Sequence, residues 1–384
     1  MTSDIEPFHA AAISKVAHAM AAQGLKVIHM EFGQPSTGAP KAAIERAHAV
    51  LDAEPGGYWE SGPLKHRLAR HYAETYGVKL DHDQVIITCG ASPALVLALT
   101  SAFRPGDRIA LARPGYVAYR NTLKGLGMVP VEIACGEATR YQLDAATIAA
   151  LEPAPAGVII ASPANPTGSI VPAAELKAIA EVCRARGVRI VSDEIYHGLS
   201  YGEPTPSMLA FEPSALVVNS FSKYFSMVGW RLGWLIAPQD LLHRARALVF
   251  NMFLTAPSLS QHAGLAALDA REELDGHVEV YRRNRELLLA ALPRLGLTEI
   301  APPDGAFYVY ADIRHLTGDS LGFCKQLLKD TGVATAPGID FDPVEGGHHF
   351  RMSFAVSTPE LEEAIERMVP WFAKAAKGRA QAAE

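Results

Sequence analysis

One lysine stands among hydroxyls in the stretch Asn219-Ser-Phe-Ser-Lys223-Tyr-Phe-Ser-Met-Val-Gly229-Trp-Arg231-Leu-Gly233, directly after the apolar run Leu216 to Val218. Ser220 and Ser222 alternate with Phe221, so an extended or turning backbone aims both hydroxyls to one side. Arg231 adds a planar fork of donors, and the set suits a phosphate monoester. A lysine beside a bound phosphate, shielded by Phe221, Tyr224 and Phe225, is the kind that forms a Schiff base with a carbonyl. A cofactor carrying both an aldehyde and a phosphate is pyridoxal phosphate (PLP). A lone lysine is ordinarily a solvated surface residue. The ordered set of Ser, Ser, Lys, Gly, Arg and Gly is what argues otherwise here.

Further candidates follow apolar runs that read as strands. Asp193-Glu194-Ile195-Tyr196 comes after a strand ending at Ser192. A carboxylate near a pyridine nitrogen favours its protonated form, which lets the ring accept electrons. Tyr196 is spaced to donate to the cofactor's phenolic oxygen. Taken alone, Asp193 suits a helix N-cap equally well. Thr88-Cys-Gly90-Ala91-Ser92-Pro93 joins a strand to an apolar helix, and free N–H groups at a helix start bind phosphate. Ser162-Pro-Ala-Asn165-Pro-Thr-Gly168 is by itself a turn. Tyr116, in Pro114-Gly115-Tyr116, reads equally as core. Arg351, in Phe350-Arg-Met-Ser-Phe-Ala355, is a charge among apolar residues that needs a partner, a ligand or an exposed face.

The stretch 219–233 resembles the PLP-lysine signature of the class I/II aminotransferases, which are fold type I PLP enzymes similar to aspartate aminotransferase. Matching pieces run from about Phe32 to Ser357. The resemblance implies that Asn165 joins Tyr196 at the phenolic oxygen, that Ala91 and Ser92 meet the phosphate, and that the Tyr116 ring stacks on the pyridine. It implies that Arg351 takes the substrate's alpha-carboxylate and that Gly33 lies near the substrate. Tyr58 resembles the tyrosine that reaches the phosphate of a neighbouring subunit, which implies a homodimer with shared active sites. Two departures from the pattern stand out. The loop from Tyr58 to Leu64 is short, with Lys65 where Arg is more usual, and Pro337-Gly338-Ile-Asp-Phe341-Asp342 carries Asp where a glycine is more usual. The implied activity is transamination by a ping-pong cycle, with Lys223 holding the cofactor and shuttling the proton. A β-eliminating lyase on the same fold is the alternative, and a non-catalytic PLP-binding regulator a remoter one. The amino donor stays open.

These residues need elements to hold them. Val85 to Thr88, Arg108 to Ala112, Val158 to Ala161, Arg189 to Ser192, Leu216 to Asn219 and Leu232 to Ile236 read as strands. Between two of them a helix is bracketed by Pro172 and Gly187. The alternation predicts an α/β fold with a mostly parallel central sheet flanked by helices, its ligands at the carboxyl ends of the strands. After about residue 270 come a charged helix over 278–292, a strand over 305–310, another helix, a strand near 350–354 and a terminal helix from about Thr358. These predict a smaller α+β domain. The expected organisation is residues 1–40 packing with the small domain, 41–270 as the large PLP-binding domain and 271–384 as the small one. The Ala-rich tail from Ala373 is expected to fray.

At 384 residues, 49% hydrophobic and 20% charged, the chain can bury a substantial core. A net charge of -6 gives no basic footprint for nucleic acid or anionic membrane. No signal-peptide pattern opens the chain, and the longest apolar stretch, near Ala94 to Leu99, is far below the roughly 18 residues of a membrane span. Cys89, Cys135, Cys183 and Cys324 are scattered without metal or redox spacing. His348 and His349 are adjacent on a strand and point to opposite faces, so no metal site is expected. The expected setting is the cytoplasm.

Overall fold

The computed structural model describes residues 5–53, 56–202 and 204–383. Its strands are β1 (Ile28–His29), β2 (Val85–Thr88), β3 (Arg108–Arg113), β4 (Val129–Ala134), β5 (Gly157–Ala161), β6 (Arg189–Asp193), β7 (Leu216–Ser220), β8 (Gly233–Ile236), β9 (Tyr308–Asp312), β10 (Val333–Ala334), β11 (Ala336–Pro337) and β12 (His349–Ser353). The helices in its first half are α1 (His9–Ala22), α2 (Lys41–Ala53), α3 (Gly62–Tyr76), α4 (Ala91–Ala102), α5 (Val117–Gly125), α6 (Ala145–Ala150) and α7 (Ala173–Arg186). Then come α8 (Gln239–Met252), α9 (Ser258–Ala267), α10 (Arg271–Ala291), α11 (Ser320–Thr331) and α12 (Thr358–Ala383).

Seven strands form the main sheet in the order β2-β8-β7-β6-β5-β3-β4. The pairs from β4 through β7 are parallel, and β8 runs against both of its neighbours, β2 and β7. The fold is thus the expected helix-covered, mostly parallel α/β sheet. The reversal at β8 follows from its connection: residues 221–232 join β7 to β8 as a turn without a crossover helix, and only antiparallel strands can be joined that way. Lys223 lies in that turn. Both faces of the sheet are buried. Val191, Val218 and Leu235 pack with α4 and α8, while Ile190, Val217 and Trp234 pack toward α3, α7 and α9. Strands covered on both sides carry near-continuous apolar runs rather than alternation, which is why these segments are readable in sequence.

A third core gathers Phe307, Val309, Phe350 and Met352 with the apolar faces of α10, α11 and α12. Ile13, Ala17, Ile28 and Met30 from the chain's start join the same cluster, and β1 pairs in parallel with β10 through Ile28 and Val333. Here β9, β11 and β12 form a small antiparallel sheet.

Some boundaries differ from expectation for identifiable reasons. The helix bracketed by Pro172 and Gly187 is α7, closed by Gly187 at φ 67°, the left-handed cap that glycine adopts without strain. The charged helix begins at Arg271, not Val278, because Leu274 lies on the same buried stripe as Val278 and Tyr281, and Glu272 and Glu273 suit its N-terminal turn. The strand expected over 305–310 is β9, shifted to 308–312, with Gly305 in a lone bridge to Ser200. The tail expected to fray from Ala373 is helical to Ala383, in keeping with alanine's helix preference; Glu384 lies outside the described residues. Strand β4 went unread because it is a half-exposed edge strand interrupted by Pro130. No helix among the described residues is long and apolar enough to cross a membrane.

Phe350 is fully buried where β12 meets α11 and α12, with Phe323 at 5.5 Å and Phe372 at 6.1 Å between ring centroids. Phe350→Ala is expected to cost about 3–5 kcal/mol, measured as a lower urea midpoint in equilibrium unfolding; a midpoint like the parent's would contradict this packing.

Candidate active site

A cavity of about 380 Å³ opens at the carboxyl ends of the main strands and is closed on its far side by β9, β12 and the chain's first residues. Lys223 reaches into it from the turn after β7. Its Nζ donates to the Gly33 carbonyl and lies 5.8 Å from the Tyr196 ring centroid and 6.0 Å from that of Phe307. Burial first, then Arg351 and Arg231, pull the Lys223 amine down to about 8, with Asp193 opposing weakly. A neutral amine is therefore available near physiological pH, as nucleophilic and general-base lysines require.

One end of the cavity is built for an anion. Arg231 takes a left-handed conformation at φ 52°, which brings its guanidinium back over the start of α4. Its Nη1 donates to Val228 O at 2.9 Å and its Nη2 to Cys89 O at 3.4 Å. Gly90 must be glycine here, since it has φ 101° and a Cβ on it would lie 2.5 Å from Arg231 Nη2. Ala91 and Ser92 open α4, whose first N–H groups have no side-chain cap, and with Ser222 and Arg231 they line the cavity. A helix start facing a guanidinium and a hydroxyl is a phosphate cradle in its donor set. Ser220 departs from expectation. Its Oγ accepts from Ser222 N–H at 3.1 Å, and the residue lines a second cavity, of about 570 Å³, behind the turn. The turn tightens after β7 and breaks the alternation that would have aimed both serines one way.

Asp193, at the end of β6, accepts from Tyr119 Oη at 2.6 Å and from Ile195 N–H at 3.1 Å. Burial raises its pKa, and those two hydrogen bonds oppose the rise. Tyr196 Oη lies 2.6 Å from Tyr308 Oη, and burial keeps both phenols protonated. Tyr116 caps the start of α5, its ring edge-on to Tyr119 at 5.5 Å. Asn165 Oδ1 accepts from Arg351 Nη1 at 2.7 Å.

Arg351 is 2% exposed in β12. Its Nη2 donates to Glu31 O, its Nε lacks a protein partner, and its guanidinium lies 4.3 Å from the Tyr308 ring centroid and 4.7 Å from that of Phe341. A buried cation without a carboxylate, flanked by aromatic faces, is prepared for an anionic ligand. Gly33 packs against Tyr308 so closely that a Cβ would lie 1.6 Å from its hydroxyl oxygen.

Thus Gly33, Ala91, Ser92, Tyr116, Asn165, Asp193, Tyr196, Ser222, Lys223, Arg231 and Arg351 border one cavity. Tyr58 does not; it is 84% exposed. Lys65 is buried instead, paired with Glu60 at 3.5 Å and Asp83 at 3.7 Å. Asp342 pairs with Arg113 at 3.5 Å. His349 stacks on Tyr310 at 4.9 Å, away from its neighbour His348, which faces Thr317 O. Sequence reasoning missed Tyr119, Tyr308 and Phe8. Tyr119 could have been found one helical turn after Tyr116. Tyr308 and Phe8 depend on pairings across hundreds of residues that no local pattern reveals.

The family model for class I and II aminotransferases matches residues 26–368. The valine–pyruvate aminotransferase of Mycobacterium tuberculosis is 46% identical over 352 residues, 90% of this chain and 91% of that protein. A crystal structure of an aminotransferase from Mycobacterium tuberculosis superposes with a TM-score of 0.95 at 44% identity, covering 97% of this chain and 98% of that one. The aspartate aminotransferase of Thermus thermophilus, solved with maleate, gives a TM-score of 0.90 at 29% identity over 95% and 97% of the two chains.

In the cofactor-free protein the acylation rate of Lys223, followed by peptide mass spectrometry, is expected to rise with pH through a midpoint of about 8. A midpoint near the ordinary lysine value would show an amine open to water.

Proposed function

Because the chain belongs to the class I and II aminotransferases, PLP-dependent enzymes that move an amino group between an amino acid and a keto acid, we propose that it holds PLP on Lys223 and works in ping-pong order. The observation that carries this reading is a half-buried amine paired with a backbone carbonyl, in one cavity with a helix start, Ser222 and Arg231 at one end and the Arg351 guanidinium, its Nε without a partner among the described residues, at the other. When bound, PLP supplies an aldehyde that condenses with amines and a protonated ring that draws electrons from the substrate's alpha carbon.

The chain's residues supply the rest. Ala91 and Ser92 N–H groups, Ser222 and Arg231 hold the phosphate. Ser220 supports them from behind through Ser222 N–H. Asp193, kept in place by Tyr119 and Ile195, provides the negative charge that keeps the ring nitrogen protonated. Tyr196 and Asn165 take the phenolic oxygen, and Tyr116 covers a ring face. Arg351 binds the substrate carboxylate as a bidentate fork and so fixes which bond at the alpha carbon faces the Lys223 amine. Gly33 leaves room for that approach. Lys223 Nζ removes the alpha proton as a neutral amine. Because one cavity serves both substrates, donor and acceptor enter in turn.

The donor in this reading is a neutral amino acid and the acceptor a small keto acid, supported by the Mycobacterium tuberculosis relative and by a cavity whose cations are Lys223, Arg231 and Arg351. The working unit is a homodimer in which Tyr58 reaches the partner's phosphate. The exposed side chains of Tyr58, Phe250 and Leu254, the last two bordering one small pocket with Trp59, support it, as large apolar side chains at a surface mark an interface. Residues 41–270 act as the PLP-binding domain, and 271–384 with the first 40 residues as the smaller one, a division supported by the separate cores. Four unpaired cysteines, with burial pushing Cys135 up to about 11 and Cys183 and Cys324 up to about 12, fit a cytoplasmic enzyme with idle thiols.

The test is the absorption spectrum of the PLP-loaded protein. On adding a neutral L-amino acid alone, the visible band is expected to fall, and to return when a keto acid follows. Lys223→Ala should abolish turnover and the band while remaining a folded dimer by sedimentation; near-normal activity in that variant would overturn the assignment.

A further inference from the structure

Helix α1 begins without a side chain of its own to cap it: its N-cap is Phe8, which makes no side-chain hydrogen bond there. The first N–H groups of a helix need acceptors, and here they come from the other end of the chain. Asp340 is 1% exposed, and its Oδ1 and Oδ2 accept from His9 N–H and Ala10 N–H, each at 2.8 Å. On the other side of this junction Glu6 is tied to α5. Its carboxylate accepts from Arg120 at 2.6 Å and Lys124 at 2.9 Å, and its carbonyl from Asn121 Nδ2 at 3.0 Å. The short segment 5–10 is therefore fastened at both ends.

What lies between the fasteners is Phe8, which lines the active cavity and meets Phe32 edge-on at 5.9 Å. Both phenylalanines pack against a small cluster that includes Ala10, Tyr310 and Phe341. Phe341 directly follows Asp340 and supports the Arg351 guanidinium, and its carbonyl accepts from Gly115 N–H at 3.0 Å, beside Tyr116. One turn thus braces the carboxylate fork, the loop carrying Tyr116 and the helix start that carries Phe8.

We propose that Asp340 is a positioning residue for substrate selection, holding Phe8 against Phe32 as an apolar wall that favours amino acids with branched aliphatic side chains over those with a distal carboxylate. This rests on the aminotransferase reading above. The chemistry of the wall is plain. A branched side chain buries its methyl groups against two aromatic rings, whereas a second carboxylate would lose its water there, with no cation beyond Lys223, Arg231 and Arg351 lining the cavity among the described residues. Alanine, whose side chain is a single methyl, makes little use of the wall.

The experiment compares PLP-loaded parent, Phe8→Ala, Asp340→Asn and Glu6→Gln in single-turnover half-reactions with L-valine, L-alanine and L-aspartate, following the visible band. In a parallel readout without cofactor, hydrogen exchange is measured over residues 5–15. The parent is expected to prefer valine to aspartate. Phe8→Ala should lower the valine rate constant per molar about tenfold or more, the range for methyl groups in a fitted pocket, and the alanine value by clearly less. Asp340→Asn, which keeps the side chain's size but only one acceptor oxygen, should lower the valine-to-alanine ratio in the same direction and speed exchange at the start of α1. Should Asp340→Asn not fold, Glu6→Gln loosens the same segment from α5 and must shift the ratio the same way. A parent that prefers aspartate, or an unchanged valine-to-alanine ratio in Phe8→Ala, overturns the proposal while leaving transamination intact. A parent whose band responds to no amino acid overturns both readings.

Discussion

A primary amine held inside a cavity without an anion to neutralise it is the constraint on which this structure turns. Water would solvate Lys223 far better than the Gly33 carbonyl and two aromatic faces do. Two guanidinium groups also belong to the cavity, so the site has a positive character suited to anionic groups. The rest of the fold has to hold these cations in place: the β7–β8 turn for Lys223, the left-handed backbone at Arg231, and the sealed position of Arg351 in β12.

The hydrogen bonds around these cations explain why they do not simply turn outward. Arg231 is held by backbone carbonyls at Val228 and Cys89, and Arg351 by Asn165 and Glu31. None of these bonds neutralises charge. Carbonyl and amide oxygens fix direction while leaving the cation able to attract an anion, whereas a carboxylate partner would occupy it. Neighbouring Glu194 shows the opposite treatment. Burial pushes it up to about 7, and its Oε1 alone accepts from the Ser192 and Ser207 hydroxyls and from Met208 N–H, holding the following loop.

Much of this was legible in sequence because it is local. Strand, turn and helix start lie together at 85–102, and strand, carboxylate and tyrosine at 189–196, so periodicity and turn chemistry find them. The signature around Lys223 is likewise continuous. What escaped reading is either weakly patterned, like the half-exposed edge strand β4, or assembled across the chain. The reversal of β8 depends on strand order, which apolar runs do not encode. The Tyr196–Tyr308 and Asp193–Tyr119 hydrogen bonds join residues 112 and 74 positions apart. The inward turn of Ser220 reflects a turn tighter than simple alternation allows.

The two ends of the cavity rest on different parts of the fold. The Arg231 end of the cavity is welded to the main sheet, where Gly90, Arg231 and Gly233 interlock so tightly that even a methyl group has no space. The far end is closed by a few residues at the beginning of the chain, resting on one turn from its end. A change in the first ten residues can therefore alter the closure while the contacts of Gly90, Arg231 and Gly233 stay in place.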